Sequence, residues 1–137
     1  MSPRAASDPT VPYSFAFLRV VPHVHTGAFV NVGVVLHSRP AAYLGMRVIE
    51  EEVRLADLAP DTDTEMLARY LRSCRAIAAG TREAGPIALL SPPERFHWLT
   101  SPRSDVLQPS AVHEGVTRDP AAELDRLFRA CVTGVGR

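Results

Sequence analysis

The chain contains no lysine: its fifteen basic residues are all arginine, and fifteen acidic residues balance them. That absence excludes a Schiff-base lysine, a lysine general base and the lysine of a phosphate-binding P-loop. The formal net charge of zero removes any global electrostatic pull towards nucleic acid or an anionic membrane. Cysteine is scarce, with only Cys74 and Cys131 present. Both fall on apolar faces of helical stretches, so they read as reduced, buried thiols rather than a disulfide or a paired-cysteine metal site. No apolar run reaches the length of a membrane span or a secretory signal, and a cytoplasmic protein is expected. There is also no glycine-rich phosphate loop and no nucleophile elbow.

What the sequence does contain is a run of strand patterns. At 137 residues it can bury a core without disulfides or metal. We expect one globular domain over residues 12–134, preceded by a disordered tail over 1–11. In Phe29 to Leu36, alternation places Val30, Val32, Val34 and Leu36 on one face and Phe29, Asn31, Gly33 and Val35 on the other. The preceding segment, Tyr13 to Val21, has the same period, with Tyr13, Phe15, Phe17, Arg19 and Val21 sharing a face. The connection Pro22 to Ala28 carries turn chemistry and is short enough for an antiparallel hairpin. Centred on His25, that hairpin sets Arg19 opposite Asn31, a polar notch on an aromatic face. It also sets Phe17 opposite Gly33, where the ring would lie over bare backbone. Each residue has a structural reading as well: Gly33 as a bulge, Asn31 satisfying a loop, Arg19 with its head in water.

After a turn at Ser38 to Pro40, a third strand is expected from Ala42 to Ile49, completing a meander. Glu50 to Glu52 reads as a solvated connector. Thr62-Asp63-Thr64-Glu65 resembles a capping box with Thr62 as N-cap. The helix it opens carries Leu67, Tyr70, Leu71, Cys74, Ile77 and Ala78 as its buried stripe and stops at Gly80. Pro86 to Leu90 and Arg95 to Thr100 read as short strands, the second with Phe96 and Trp98 on one face. Ser101 to Arg118 reads as a long surface loop. A last helix opens with Asp119 as N-cap and Pro120 in its first turn, burying Leu124, Leu127, Phe128, Cys131 and Val132. The expected fold class is α+β: a mostly antiparallel sheet of four to five strands, begun by a hairpin and meander, with two amphipathic helices packed on it.

The long loop holds the densest set of polar groups, from Ser101 through Arg103, Ser104, Asp105, Gln108 and Ser110 to His113 and Glu114. Arg103 with Ser104 could grip a phosphate or carboxylate through a planar fork and a hydroxyl, and His113 could titrate near neutrality. The candidate ligand-binding set is therefore Arg19, Asn31, Arg103, Ser104 and His113; no catalytic residue is assignable. His23 and His25 lack a third ligand at diagnostic spacing, so no metal site and no cofactor is expected. Arg69, Arg72 and Arg75 line one helix face, which reads as solvated, with nucleic-acid contact as the weaker alternative.

Two motifs carry a family resemblance. Arg19-Val20-Val21-Pro22 with Gly27 to Leu36, and Arg95 to Thr100 with Pro102-Arg103-Ser104 and Val112 to Gly115, resemble the bacterial domain-of-unknown-function family 3037. The likeness runs from about Tyr13 to Val132. Where that family carries an acid before the phenylalanine, this chain has Ala28. The resemblance implies no reaction. It does imply a protein partner, since members are often encoded beside a HipA-like kinase, and hence an accessory or regulatory role. The alternative is an enzyme or ligand-binding domain acting on a phosphorylated or nucleotide-like molecule, which requires the candidate residues to converge in one pocket.

Overall fold

A computed structural model describes residues 9–23, 28–102 and 107–132. The three valine- and aromatic-rich segments form β1 (Val11–His23), β2 (Ala28–Ser38) and β3 (Tyr43–Val48). They pair antiparallel in the order expected of a meander, with β2 between β1 and β3. The free edge of β1 is filled by β4 (Leu107–Pro109) and β5 (His113–Thr117). These two short strands run end to end along β1, and the class is α+β with a five-stranded antiparallel sheet.

Leu107–Pro109 and His113–Thr117, both within the stretch expected as a loop, therefore supply the fourth ribbon of the sheet. The pattern is hard to see because it breaks in the middle. Pro109 ends β4, and the Ser110 backbone N–H donates to the Phe17 carbonyl at 2.8 Å. The Ser110 hydroxyl in turn accepts from the Phe17 N–H at 2.9 Å. A buried serine thus replaces a ladder carbonyl at the interruption, which satisfies a donor that would otherwise be stranded.

Helices flank both faces. On one side lie α1 (Glu52–Leu58), α2 (Thr64–Ala79) and α3 (Pro92–Leu99), with 3₁₀ turns at Arg82–Ala84 and Pro86–Leu89. On this face Ala16, Leu18, Val20, Val35, Met46 and Val48 meet Leu67, Leu71, Cys74 and Ile77 in the core. The opposite face receives α4 (Pro120–Cys131), which lies over β2 and β3. Leu124 of α4 approaches Gly45, and Phe128 sits 4.4 Å beneath the Arg47 guanidinium. Arg47 also pairs with Asp125.

Two strand expectations are corrected. Pro86–Leu89 is a 3₁₀ turn and Pro92–Leu99 a helix. Ser91 and Glu94 form the capping box that opens α3, with proline in its first turn, and this outweighs the alternation of Phe96 and Trp98. The N-cap of α2 is Asp63, which accepts from the Met66 N–H at 3.1 Å. Thr62 instead donates to the Ala59 carbonyl. Gly80 ends α2 at φ 73° and Asp119 caps α4, both as expected. Neither cysteine is in a disulfide; Cys74 is buried as expected, whereas Cys131, expected in the buried stripe, is only partly buried. No helix of the described residues is long and apolar enough to cross a membrane.

Tyr13 ties α4 to β1. Its hydroxyl donates to a Glu123 carboxylate oxygen at 2.6 Å, and Arg126 grips the same carboxylate. Burial, reinforced by Glu123, pushes the Tyr13 phenol up from 10.0 to about 12. The Arg126 hydrogen bond, outweighing desolvation and helped by Tyr13, holds Glu123 below 4.5. A raised phenol favours the protonated folded form, so its contribution is complete below pH 10 and is lost as pH climbs towards 12. A lowered carboxyl acts the other way: its contribution is present above 4.5 and is lost as pH falls through the folded value. Phenolate absorbance titration of Tyr13→Phe should lose the component near pH 12. An unchanged high-pH component would place that phenol elsewhere.

Candidate functional site

The half of the sheet face beside α4 is built from β1 and its edge partners. Alternation puts Tyr13, Phe15, Phe17 and Arg19 on this face of β1, and the pairing adds His113 opposite Phe15 and Gln108 opposite Arg19. The Phe15 and Phe17 rings meet edge to face at 5.6 Å, and the His113 ring lies 5.3 Å from that of Phe15. Both phenylalanines are half-buried and His113 is exposed, because α4 lies over β2 and β3 rather than over this strip.

Arg19 and Asn31 are direct cross-strand partners, as the hairpin arithmetic requires. The neighbouring pair differs from expectation: Gly33 stands opposite Leu18, not Phe17, because the register shifts between Leu18 and Arg19 and leaves Val32 as an extra residue on β2. This bulge changes the facing of everything after it. Asn31 ends on the same face as Val34 and Leu36, where its side-chain amide donates to the Cys131 carbonyl at the end of α4 at 3.2 Å. Gly33 serves a different purpose, since a Cβ there would come within 2.9 Å of Val48 Cγ1.

The notch is polar but incompletely satisfied. The Arg19 Nε–H and the Asn31 Oδ1 are shielded from solvent and have no hydrogen-bond partner among the described residues. The Arg19 guanidinium stacks 4.1 Å from the centroid of Phe29, a residue 48% exposed. Stacking an arginine on an aromatic ring holds its planar fork in one orientation.

Of the five candidate ligand residues, the structure brings Arg19 and Asn31 together. His113 shares their face but pairs with Phe15, four residues along β1 from Arg19, or about 13 Å at strand rise. Arg103 and Ser104 lie outside the described residues, as do Asp105 and the hairpin tip at His25. Sequence reasoning missed Phe29 and Gln108 as neighbours of Arg19. The parity of Phe29 with Asn31 was a usable signal for the first; nothing marked the second. Arg69, Arg72 and Arg75 are exposed on α2, and Arg75 is engaged by Glu50 at 2.8 Å. Among the described residues no three His, Cys, Asp or Glu side chains gather where they could hold a metal ion.

A family model described as protein of unknown function (DUF3037) matches residues 15–132. The chain belongs to the DUF3037 family. The matched range of this DUF3037 protein takes in Phe15, Phe17, Arg19, Phe29, Asn31, Gln108 and His113 of the strip, and α4. No curated protein and no solved structure matches the chain.

Proposed function

We propose that this DUF3037 protein is a non-enzymatic accessory module that binds a protein partner through the strip of Phe15, Phe17, Arg19, Phe29, Asn31 and Gln108. The observation that carries this reading is the Arg19 Nε–H, buried without a partner among the described residues while its guanidinium stacks on a half-exposed phenylalanine, with a second unsatisfied atom, Oδ1, on its cross-strand partner Asn31. One residue of an extended partner strand offers both complements on the same side: its carbonyl accepts from Arg19 and its N–H donates to Asn31. A partner that swings Phe29 aside reaches the Arg19 Nε–H, and each buried group it satisfies recovers about 1–3 kcal/mol. Arginine and aromatic residues are also the side chains over-represented among interface hot spots.

Catalysis has less support. The strip offers one exposed imidazole, His113, set on Phe15 and away from the notch. A phosphorylated or nucleotide-like ligand would retain Arg19 and Asn31 but would have to span about 13 Å to use His113. The family setting implied by the sequence makes a HipA-like kinase the partner to test. Its purified form should bind the wild-type protein, and Arg19→Ala or Phe29→Ala should weaken binding about 30-fold, as loss of a hot spot of about 2 kcal/mol requires. Arg72→Ala, on the far side, should leave affinity unchanged. Absent binding, or equal affinity for the notch variants, rejects the proposal.

A further inference from the structure

The other face of the sheet carries a groove of about 500 Å³ at the end remote from the notch, lined by none of the residues assigned above to partner binding. Its construction follows from the pairing. Ser14 stands directly opposite His37 on β2 and Glu114 on β5, so a short side chain lies between two long ones and the sheet is concave there. Two strand spacings separate Glu114 from His37, or about 10 Å between Cα atoms. Pro12 extends the floor, and Arg39 and Pro40, in the turn after β2, raise the wall on the His37 side. Val116, 69% exposed, continues the opposite wall.

The two walls differ in charge. Glu114 is an exposed carboxylate on one, and Arg39 an exposed guanidinium on the other. Neither has an ion-pair partner among the described residues, whereas Arg47, Arg75, Arg126 and Arg129 are all paired. The His37 ring is half-buried and rests 5.4 Å from Phe96 of α3. Desolvation, with Arg39 and Arg95 adding to it, lowers its pKa, which keeps the imidazole neutral at pH 7. The wall beside Arg39 thus adds a hydrogen-bonding ring without a second positive charge. A serine protease relay is not present: such a relay needs the imidazole between hydroxyl and carboxylate, and here Ser14 occupies the middle.

We propose that this groove binds a small zwitterion of the amino-acid or short-peptide class, its ammonium group held by Glu114 and its carboxylate by Arg39. The apolar surfaces of Pro12, Pro40 and Val116 would take its aliphatic part. This site is independent of the partner-binding strip, and either can fail alone.

The test is titration of the full-length, isotope-labelled protein with leucine, with trialanine, and with N-acetyl-trialanine amide, which lacks both charges. Saturable shifts of the Ser14, His37, Arg39 and Glu114 amides with leucine or trialanine are expected, and which probe binds tighter distinguishes a free amino acid from a peptide. Affinity should fall at least tenfold for the blocked peptide and for Glu114→Gln or Arg39→Ala. Both variants alter exposed side chains, and far-ultraviolet circular dichroism should match wild type. The proposal is overturned if neither charged probe gives saturable shifts in the groove. It is equally overturned if the blocked peptide binds as tightly as trialanine, or if both variants bind like wild type.

Discussion

Replacing Phe128 with alanine is expected to destabilise the protein by about 3–5 kcal/mol, the range for removing a buried phenylalanine. Phe128 is 6% exposed and, with Leu124 and Leu127, forms the apolar stripe by which α4 holds to β2 and β3. It also carries the Arg47 guanidinium at 4.4 Å, an interaction worth roughly 0.5–1 kcal/mol at a partly exposed site. Phe128→Leu keeps most of the volume and should cost under about 1.5 kcal/mol. Urea unfolding of the three proteins measures both. The functional consequence is local: the end of α4 supplies the Cys131 carbonyl that orients Asn31, so loosening the helix should speed hydrogen exchange of the Asn31 side-chain amide. A Phe128→Ala loss below 1 kcal/mol would mean that α4 is not held by this stripe.

The parts of the fold legible in the sequence are those with unbroken periods. The first three strands show a period of two, and α2 and α4 show a period near 3.6, with capping residues at both ends of α2 and at the start of α4. The segments that misled have local patterns that compete. In α3 the aromatic residues Phe96 and Trp98 alternate as in a strand, while Ser91 and Glu94, at capping-box spacing, point to a helix; reciprocal satisfaction of backbone donors outweighs alternation over so short a span. From Leu107 to Thr117 the strand character is cut by Pro109 and by Ser110, and β5 lies at an edge where polar residues are tolerated on both faces.

The notch was legible for a reason that involves the same competition. Counting outward from His25 gives Arg19 opposite Asn31, which is observed, and Phe17 opposite Gly33, which is not. A uniform register error would have moved both pairs together. The bulge at Val32 sits between them, so one pair agrees and the next is displaced by a residue. Nothing in the identity of Val32 marks it as an extra residue, since valine is at home in any strand. The nearby glycine was the visible signal, for a bulge or for a close approach, and the structure uses it for the second.

That close approach gives the other large expected effect. Gly33→Val should cost about 3 kcal/mol, at the upper end for overpacking a core. A Cβ at this position would lie 2.9 Å from Val48 Cγ1 and 3.3 Å from the Arg47 carbonyl oxygen, with Leu18 Cβ at 3.7 Å. Val48 cannot readily turn away, because its branched side chain is stiff at χ1 and it is only 6% exposed in the core. The backbone carbonyl cannot retreat without opening the β2–β3 ladder. Glycine's entropic cost in a strand, about 0.5–1 kcal/mol, offsets part of this but is too small to reverse it. The steric origin is tested by the pair. Val48→Ala alone should destabilise by leaving a cavity, yet combined with Gly33→Val it removes the obstructing Cγ1, and the double variant should be more stable than the sum of the two losses by about 1–3 kcal/mol. Additive losses would show that Gly33 is needed for the bulge backbone rather than for the space Val48 occupies.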